Sequence, residues 1–338
     1  MAESLPISGF FIGVLRPRTR FRGSGRWGTM TLLMTRQAPM TDRPSASVSA
    51  DPALDQGAVR VLEPECQSVP LVVASPHSGT RYPAEFLAMA RASLAQLRAS
   101  EDTHMDAMMA DAPKLGAPLL VALFPRVYVD VNREPWELDP AMFLDPLPDF
   151  ANTSSPRVRA GLGTLPRVAG DGQAIYGRRL PLAEAERRLA AYYHPYHDTL
   201  ARLLRDTRAR FGHAVLLDCH SMPSSVLEEE RPWARPDVIL GDRHGTACDP
   251  LVTDTAEAVL REMGLRVRRN RPYAGGHTTR LHGRPDVGTH ALQIEVNRAL
   301  YMDERTRRAT GDLTRLTQTM AVLLEALGAL PRRALAAE

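Results

Sequence analysis

Apolar residues along this chain gather in short runs that stop at polar clusters. Leu71 to Ala74, Pro118 to Phe124, Arg126 to Val131, Ala214 to Leu217, Asp237 to Leu240, Leu265 to Arg268 and Ala291 to Val296 all have this form. Such runs read as strands buried on both faces, the habit of parallel sheets. Between them the spacing turns helical. Over Leu182 to Phe211, Leu189, Tyr193, Leu200, Leu203 and Leu204 share one side, while Arg187, Arg188, Arg202 and Arg205 keep to the other. Pro195 is expected to kink that helix. Pro83 to Ala112 read as helical in two pieces. The second opens at Ser100 as N-cap, with Glu101 and Asp102 in its first turn, and stops at Gly116. Asp254 to Met263 and Asp303 to Leu327 complete the helices. Strands alternating with helices, without an internal repeat or second core, predict an α/β single domain. Its central sheet is mostly parallel or mixed and flanked by helices.

Two stretches lack either pattern. Residues 1–58 are rich in Arg, Gly, Ser, Pro and Met and sustain no apolar period. Their modest apolar stretch, Ile7 to Leu15, precedes the basic cluster Arg16 to Arg26, the reverse of a secretory signal. We expect a disordered extension, or a translation start upstream of the true one at Met30, Met34 or Met40. An Arg-rich transit peptide is the lesser reading. The folded domain is expected over 59–330. Inside it, Pro135 to Pro181 is dense in Pro, Gly, Asp and Asn, the signature of a functional loop or lid.

Composition narrows the field without choosing an activity. In 338 residues, 44% hydrophobic and 24% charged content are ordinary for a globular protein. A net charge of +3 favours neither a nucleic-acid nor a membrane partner. No apolar run reaches the roughly 18 residues of a membrane helix. The three cysteines, Cys66, Cys219 and Cys248, are too far apart for a zinc knuckle and odd in number. That suits a reducing cytoplasm better than a disulfide framework.

The chemistry lies where the apolar runs end. His77 follows one strand, Asn132 and Arg133 a second, and Asp218-Cys219-His220-Ser221 a third, while Glu295 lies near the end of a fourth. Convergence of strand ends is how α/β proteins assemble sites. Two histidines and a carboxylate would make a catalytic zinc site with a position left for water. The carboxylate is sought in Glu101 or Asp102, for which helix capping is the competing use. His104, two residues after Asp102, fits a supporting place better than a shared ligand role. Cys219 and Ser221 each adjoin an imidazole, but neighbouring strand residues face opposite ways, and Ser221 lacks the G-x-S-x-G elbow. On the residues alone, a metal site leads, plain structural use follows and a nucleophile comes last. Glu295 reads either as an exposed residue of an edge strand or as a general base beside an activated water. Arg133 and Arg280 are candidates for gripping a substrate carboxylate, since guanidinium binds it bidentately.

Several motifs recur together. They are SPHSG at Ser75 to Gly79, the SED segment with His104 behind it, and DVNREP at Asp130 to Pro135. DCHSMPS at Asp218 to Ser224, RPYAGGHTTRLHG at Arg271 to Gly283 and LQIEVNR at Leu292 to Arg298 follow in order. With these the chain resembles the N-formylglutamate amidohydrolase (N-formylglutamate deformylase) family from about residue 68 to 302. The resemblance implies a zinc-peptidase-like fold and hydrolysis of N-formyl-L-glutamate to formate and L-glutamate by a metal-activated water. That reaction closes one histidine-degradation route. It further implies one Zn2+ per chain, or another divalent metal, on His77, Glu101 or Asp102, and His220. Glu295 would be the base, Asp218 would support His220, and Arg133 and Arg280, with Asn132 and Thr279 beside them, would bind a small acidic substrate. One departure stands out: related carboxypeptidases place an acidic ligand three residues after the first His, where this chain has Thr80. A sister amidohydrolase for another N-acyl amino acid, and a non-enzymatic binder of an acidic metabolite, are the alternatives.

Overall fold

In the computed structural model of the chain, six of the seven apolar runs pair into one sheet. The structure describes residues 57–170, 172–331 and 335, so nearly all of the expected N-terminal extension lies outside the described residues. The strands are β1 (Val59–Leu62), β2 (Leu71–Ser75), β3 (Leu119–Ala122), β4 (Ala214–Met222), β5 (Val238–Gly241), β6 (Val267–Arg269) and β7 (Thr289–Asn297). Their order is β1-β3-β2-β4-β7-β5-β6. Neighbours are parallel except β1 with β3 and β5 with β7. The mixed central sheet of the expected α/β domain is therefore present.

Strand parity separates the two faces. Val73, Val215, Leu217, Cys219, Leu292, Ile294 and Val296 point into one core, shared with helices Pro250–Glu262 and Asp312–Gly328. Val72, Ala74, Ala214, Leu216 and Ala291 point into the other, beneath the helix His194–Phe211. Each fully buried Leu or Val side chain contributes roughly 1.5–3 kcal/mol, so both layers are anchored through their central strands. The same alternation sends Asp218 and His220 on β4, and Gln293 and Glu295 on β7, to one face. They stand directly opposite in register, Asp218 with Gln293 and His220 with Glu295.

Several local expectations change. Arg126 to Val131 is a turn rather than a strand. Its apolar residues are buried because they pack into the second core, without pairing in the sheet. Ser100 caps no helix. Ser93 caps Leu94–Arg98 through a reciprocal bond with Gln96, while the Ser100 hydroxyl accepts the Gly170 amide. Glu101 and Asp102 thus lie in a turn between helices, and the Asp102 amide donates to the His77 carbonyl at 3.0 Å. At Pro195 the helical stretch continues, but irregularly. A π-helical turn, Leu189–Tyr193, precedes it and absorbs the missing backbone donor. The segment 135–181 is ordered around a small core of Leu138, Met142, Phe143, Leu165 and Leu180. The last helix starts at Asp312, after a short pairing of Met302–Asp303 with Arg308–Ala309. Among the described residues no helix is long and apolar enough to cross a membrane.

Candidate active site

The sheet brings His77 and His220 together at a switch in strand order. β2 and β4 are neighbours, and the chain leaves β2 for β3 on one side but leaves β4 for β5 on the other, so connections depart in opposite directions between them. A crevice opens there, which is where α/β sheets bind ligands. His77 follows β2 and His220 lies on β4, and their Nδ1 atoms are 3.1 Å apart. Asp102 Oδ2 completes a triangle, 3.2 Å from His220 Nδ1 and 3.3 Å from His77 Nδ1. All three residues are buried.

The far side of each ring is also engaged. His77 Nε2 lies 2.9 Å from Asp130 Oδ1, and His220 Nε2 lies 3.1 Å from Asp218 Oδ2. A carboxylate accepts, so Asp130 keeps a proton on His77 Nε2 and turns its Nδ1 lone pair towards the shared point, while Asp218 stands at ion-pair distance from the His220 ring. Asp102 Oδ1 is held separately, by Arg298 Nη2 at 3.0 Å and the Ser221 hydroxyl at 3.3 Å. Burial opposes charge on Asp102, but bonds from His220 and His77 outweigh it and keep its pKa well below the carboxylate norm. Burial likewise opposes an imidazolium at His220, yet Asp218 and Asp102 hold its pKa well above the usual value. The three inward atoms therefore attract a cation, whether a proton or a metal.

Their spacing suits a metal. A tetrahedral zinc with ligand bonds of about 2.0–2.1 Å keeps its ligands about 3.3–3.4 Å apart. The observed 3.1, 3.2 and 3.3 Å need only a slight expansion. Among the described residues, His77, Asp102 and His220 are the group of three that could hold a metal ion.

Around this triangle lies a cavity of about 660 Å³. Glu295 reaches it from β7, beside Gln293, whose Nε2 donates to Glu295 Oε1 at 2.9 Å. Gln293 Oε1 accepts the Gly276 amide at 2.8 Å, so the glycine loop and the acid share one brace. Burial pushes the Glu295 pKa up to about 7, with the His220 charge opposing. A Cβ on Gly276 would lie 2.3 Å from the Asn132 amide, so this close approach requires glycine. Asn132 Oδ1 accepts the Thr278 amide, and Asn132 Nδ2 lies 3.3 Å from His220 Nε2. Arg133 lines the cavity with Nε and Nη1 tied to the carbonyls of Leu162 and Asn132.

Other candidates stand elsewhere. Glu101 accepts bonds from Tyr82 at 2.8 Å and Arg98 at 3.1 Å, so its carboxylate belongs to that network and not to the histidine triangle. His104, with φ of 67°, directs Nε2 to the Arg307 carbonyl at 2.9 Å. Thr279 bonds to Gln293 behind the wall. Arg280 is paired with Glu134 and half exposed, off the cavity lining. The structure adds three groups that periodicity could not single out: Asp130 on His77, Arg126 on Asp130 at 2.7 Å, and Arg298 on Asp102. Asp130 and Arg298 fell within quoted motifs, which was their only signal. Cys219 faces the opposite core, where burial raises its thiol pKa well above normal, so it is no nucleophile.

Comparison with known proteins points one way. A family model described as N-formylglutamate amidohydrolase matches residues 69–302. N-formylglutamate deformylase of Pseudomonas aeruginosa is 34% identical over 270 residues, which are 78% of this chain and 92% of the relative. Its counterpart from Pseudomonas putida is 30% identical over 241 residues, 70% and 83% of the two chains. The crystal structure of N-formylglutamate amidohydrolase from Ralstonia eutropha JMP134 is similar at a TM-score of 0.77. It is 39% identical and covers 82% of this chain and 99% of that one.

Proposed function

This chain belongs to the N-formylglutamate amidohydrolase family, and from that premise we propose that it hydrolyses N-formyl-L-glutamate to formate and L-glutamate. The observation that carries the reading is the buried His77–Asp102–His220 triangle beside Glu295 in a cavity lined with arginine. The catalytic unit is residues 59–330. Its setting is a reducing cytoplasm and the last step of a histidine-degradation route.

His77, Asp102 and His220 would hold one divalent cation, zinc by the character of the donors. When bound, it supplies Lewis acidity, the means by which zinc brings the pKa of water from about 15.7 down to about 7. The remaining work falls to the chain. Asp130 fixes His77 in the tautomer that presents Nδ1, and Asp218, 3.1 Å from His220 Nε2, would favour the same for His220. Arg298 and Ser221 hold the second oxygen of Asp102, so that only Oδ2 points inward. Glu295 takes a proton from the attacking water and returns it to the nitrogen of glutamate as the amide bond breaks. A carboxylate raised to about 7 can do both near neutral pH. Gln293 anchors one of its oxygens and leaves the other for the water. Arg133, held rigid by two backbone carbonyls, grips the α-carboxylate common to every N-acyl amino acid.

The test is Glu295→Gln. General acid–base catalysis contributes about 10²- to 10⁴-fold, so kcat should drop by that order while metal content, read by elemental analysis, stays the same. Near-normal turnover in this variant would remove Glu295 from the mechanism.

A further inference from the structure

The cavity wall holds more arginine than its own acids occupy. Arg126 Nη2 is 2.7 Å from Asp130, and Arg298 bridges Asp102 and Ser221 at 3.0 Å. Arg133 is tied to the carbonyls of Leu162 and Asn132, Arg98 to Glu101 at 3.1 Å, and Arg307 to the Ala95 carbonyl at 3.4 Å. Arg157 differs. It lines the same cavity, is exposed, and its side chain makes no ion pair or hydrogen bond among the described residues.

Its neighbours are cationic as well. Burial draws the Arg133 pKa down to about 10; Asp130 opposes that shift, and the charges of Arg126 and Arg157 add to it. Burial also lowers Arg243, helped by Arg280 and then Arg157. Arg243 occupies a left-handed backbone position, φ 55°, which disfavours a branched-chain or long residue without compensation. From there its Nη1 reaches 3.4 Å from the carbonyl of Gly275, a glycine of the cavity wall. Arg133 and Arg157, from separate segments, thus bring like charge to one cavity, with Arg243 behind its Gly275 wall, an arrangement that an anion stabilises.

We propose that Arg157, with the charge of Arg243 behind Gly275 in support, binds the side-chain carboxylate of the substrate and sets the preference for acidic over neutral N-acyl amino acids. The proposal rests on the hydrolase reading above and assigns its two anionic ends to different arginines. Arg133 cannot reorient without losing two backbone bonds, which suits the invariant α-carboxylate. Arg157 stands on the helical turn Pro156–Arg159 within the segment 135–181, and its fork of donors is free. A planar fork binds a carboxylate bidentately, which a lysine at this position would not reproduce.

The experiment compares N-formyl-L-glutamate with its neutral isostere N-formyl-L-glutamine, using the full chain, Arg157→Ala and Arg157→Lys. The ratio of kcat/KM for the acid over the amide should fall about 10- to 100-fold in Arg157→Ala, the equivalent of a lost charge-assisted hydrogen bond. The loss should fall on KM, and Arg157→Lys should restore part of it. A ratio that holds within about twofold overturns the proposal. Calorimetric binding of glutarate against butyrate separates the two readings. If the unaltered chain hydrolyses neither substrate, the hydrolase reading fails. The anion site is then still judged by whether Arg157→Ala abolishes the advantage of glutarate, and a retained advantage refutes it.

Discussion

Asp218→Asn probes the support of the His77–Asp102–His220 triangle with little disturbance of shape. Asp218 is fully buried on β4, and neither of its oxygens has a hydrogen-bond partner among the described residues. Its partner is the His220 ring, with Nε2 at 3.1 Å from Oδ2. A buried carboxylate with one partner is there to act on that partner. Two unit charges 3.1 Å apart attract by roughly 5 kcal/mol at an effective dielectric constant of about 20. That is an upper bound, because asparagine keeps the shape and a carbonyl dipole beside the ring and only the charge is lost. Comparable changes behind metal-bound histidines cost about 10- to 100-fold in metal affinity, or about 1.4–2.8 kcal/mol. We therefore expect Asp218→Asn to fold, to bind zinc about 10- to 100-fold more weakly in a chelator competition, and to lose turnover at limiting zinc. In metal-free protein, an NMR titration should show the His220 pKa lowered, since Asp218 is the foremost charge raising it against burial. Unchanged zinc affinity together with an unchanged His220 titration would refute the reasoning.

Three further outcomes follow from the same geometry. Glu295 must be ionised to accept a proton, and burial sets its pKa at about 7. The kcat/KM profile should therefore rise with pH to a plateau, with its midpoint at or below that value because a nearby cation favours the carboxylate; a profile that falls between about pH 6 and 8 contradicts this. Gly79→Ala would put a Cβ 2.3 Å from the Phe124 carbonyl, against backbone that cannot swing away. It should cost at least about 1–3 kcal/mol and lower Tm by several degrees, whereas Gly311→Ala, with nothing within 4 Å, should leave Tm unmoved. Arg298→Ala frees Asp102 Oδ1 and removes the bridge to Ser221; metal affinity should weaken, as measured by chelator competition, and unaltered affinity would show that Arg298 does not position Asp102.

Much of the fold was legible because buried strands leave a one-dimensional trace. Leu71 to Ala74 and Ala214 to Leu217 could be placed from their unbroken apolar character, and Ala291 to Val296 from a run that Gln293 and Glu295 interrupt; β4 and β7 extend the last two into the polar site. The same trace misled at Arg126 to Val131, where Val127, Tyr128, Val129 and Val131 are buried under a helix without sheet partners. Burial is what an apolar run encodes; pairing is not. Asp102 was legible only as one of two acids, since Glu101 and Asp102 differ by which way a turn faces. That orientation follows from the Asp102 amide reaching back to His77, a contact between segments that no local pattern records. Arg280 read well in its glycine-rich loop, yet Glu134, 146 residues away, takes its charge. Arg157 was hidden for the opposite reason. One arginine among many in a Pro- and Gly-rich stretch carries no period, and its interest lies in the partner it lacks.

The most direct test of the account is formate release from N-formyl-L-glutamate by the purified full chain, before metal removal by a chelator, after it, and after zinc is restored. We expect formate and glutamate in equal amounts, loss of activity on chelation, recovery with about one zinc per chain, and neither recovery nor zinc retention in His220→Ala. Absence of formate from the untreated protein, or turnover that persists once the metal is gone, would contradict the central claim.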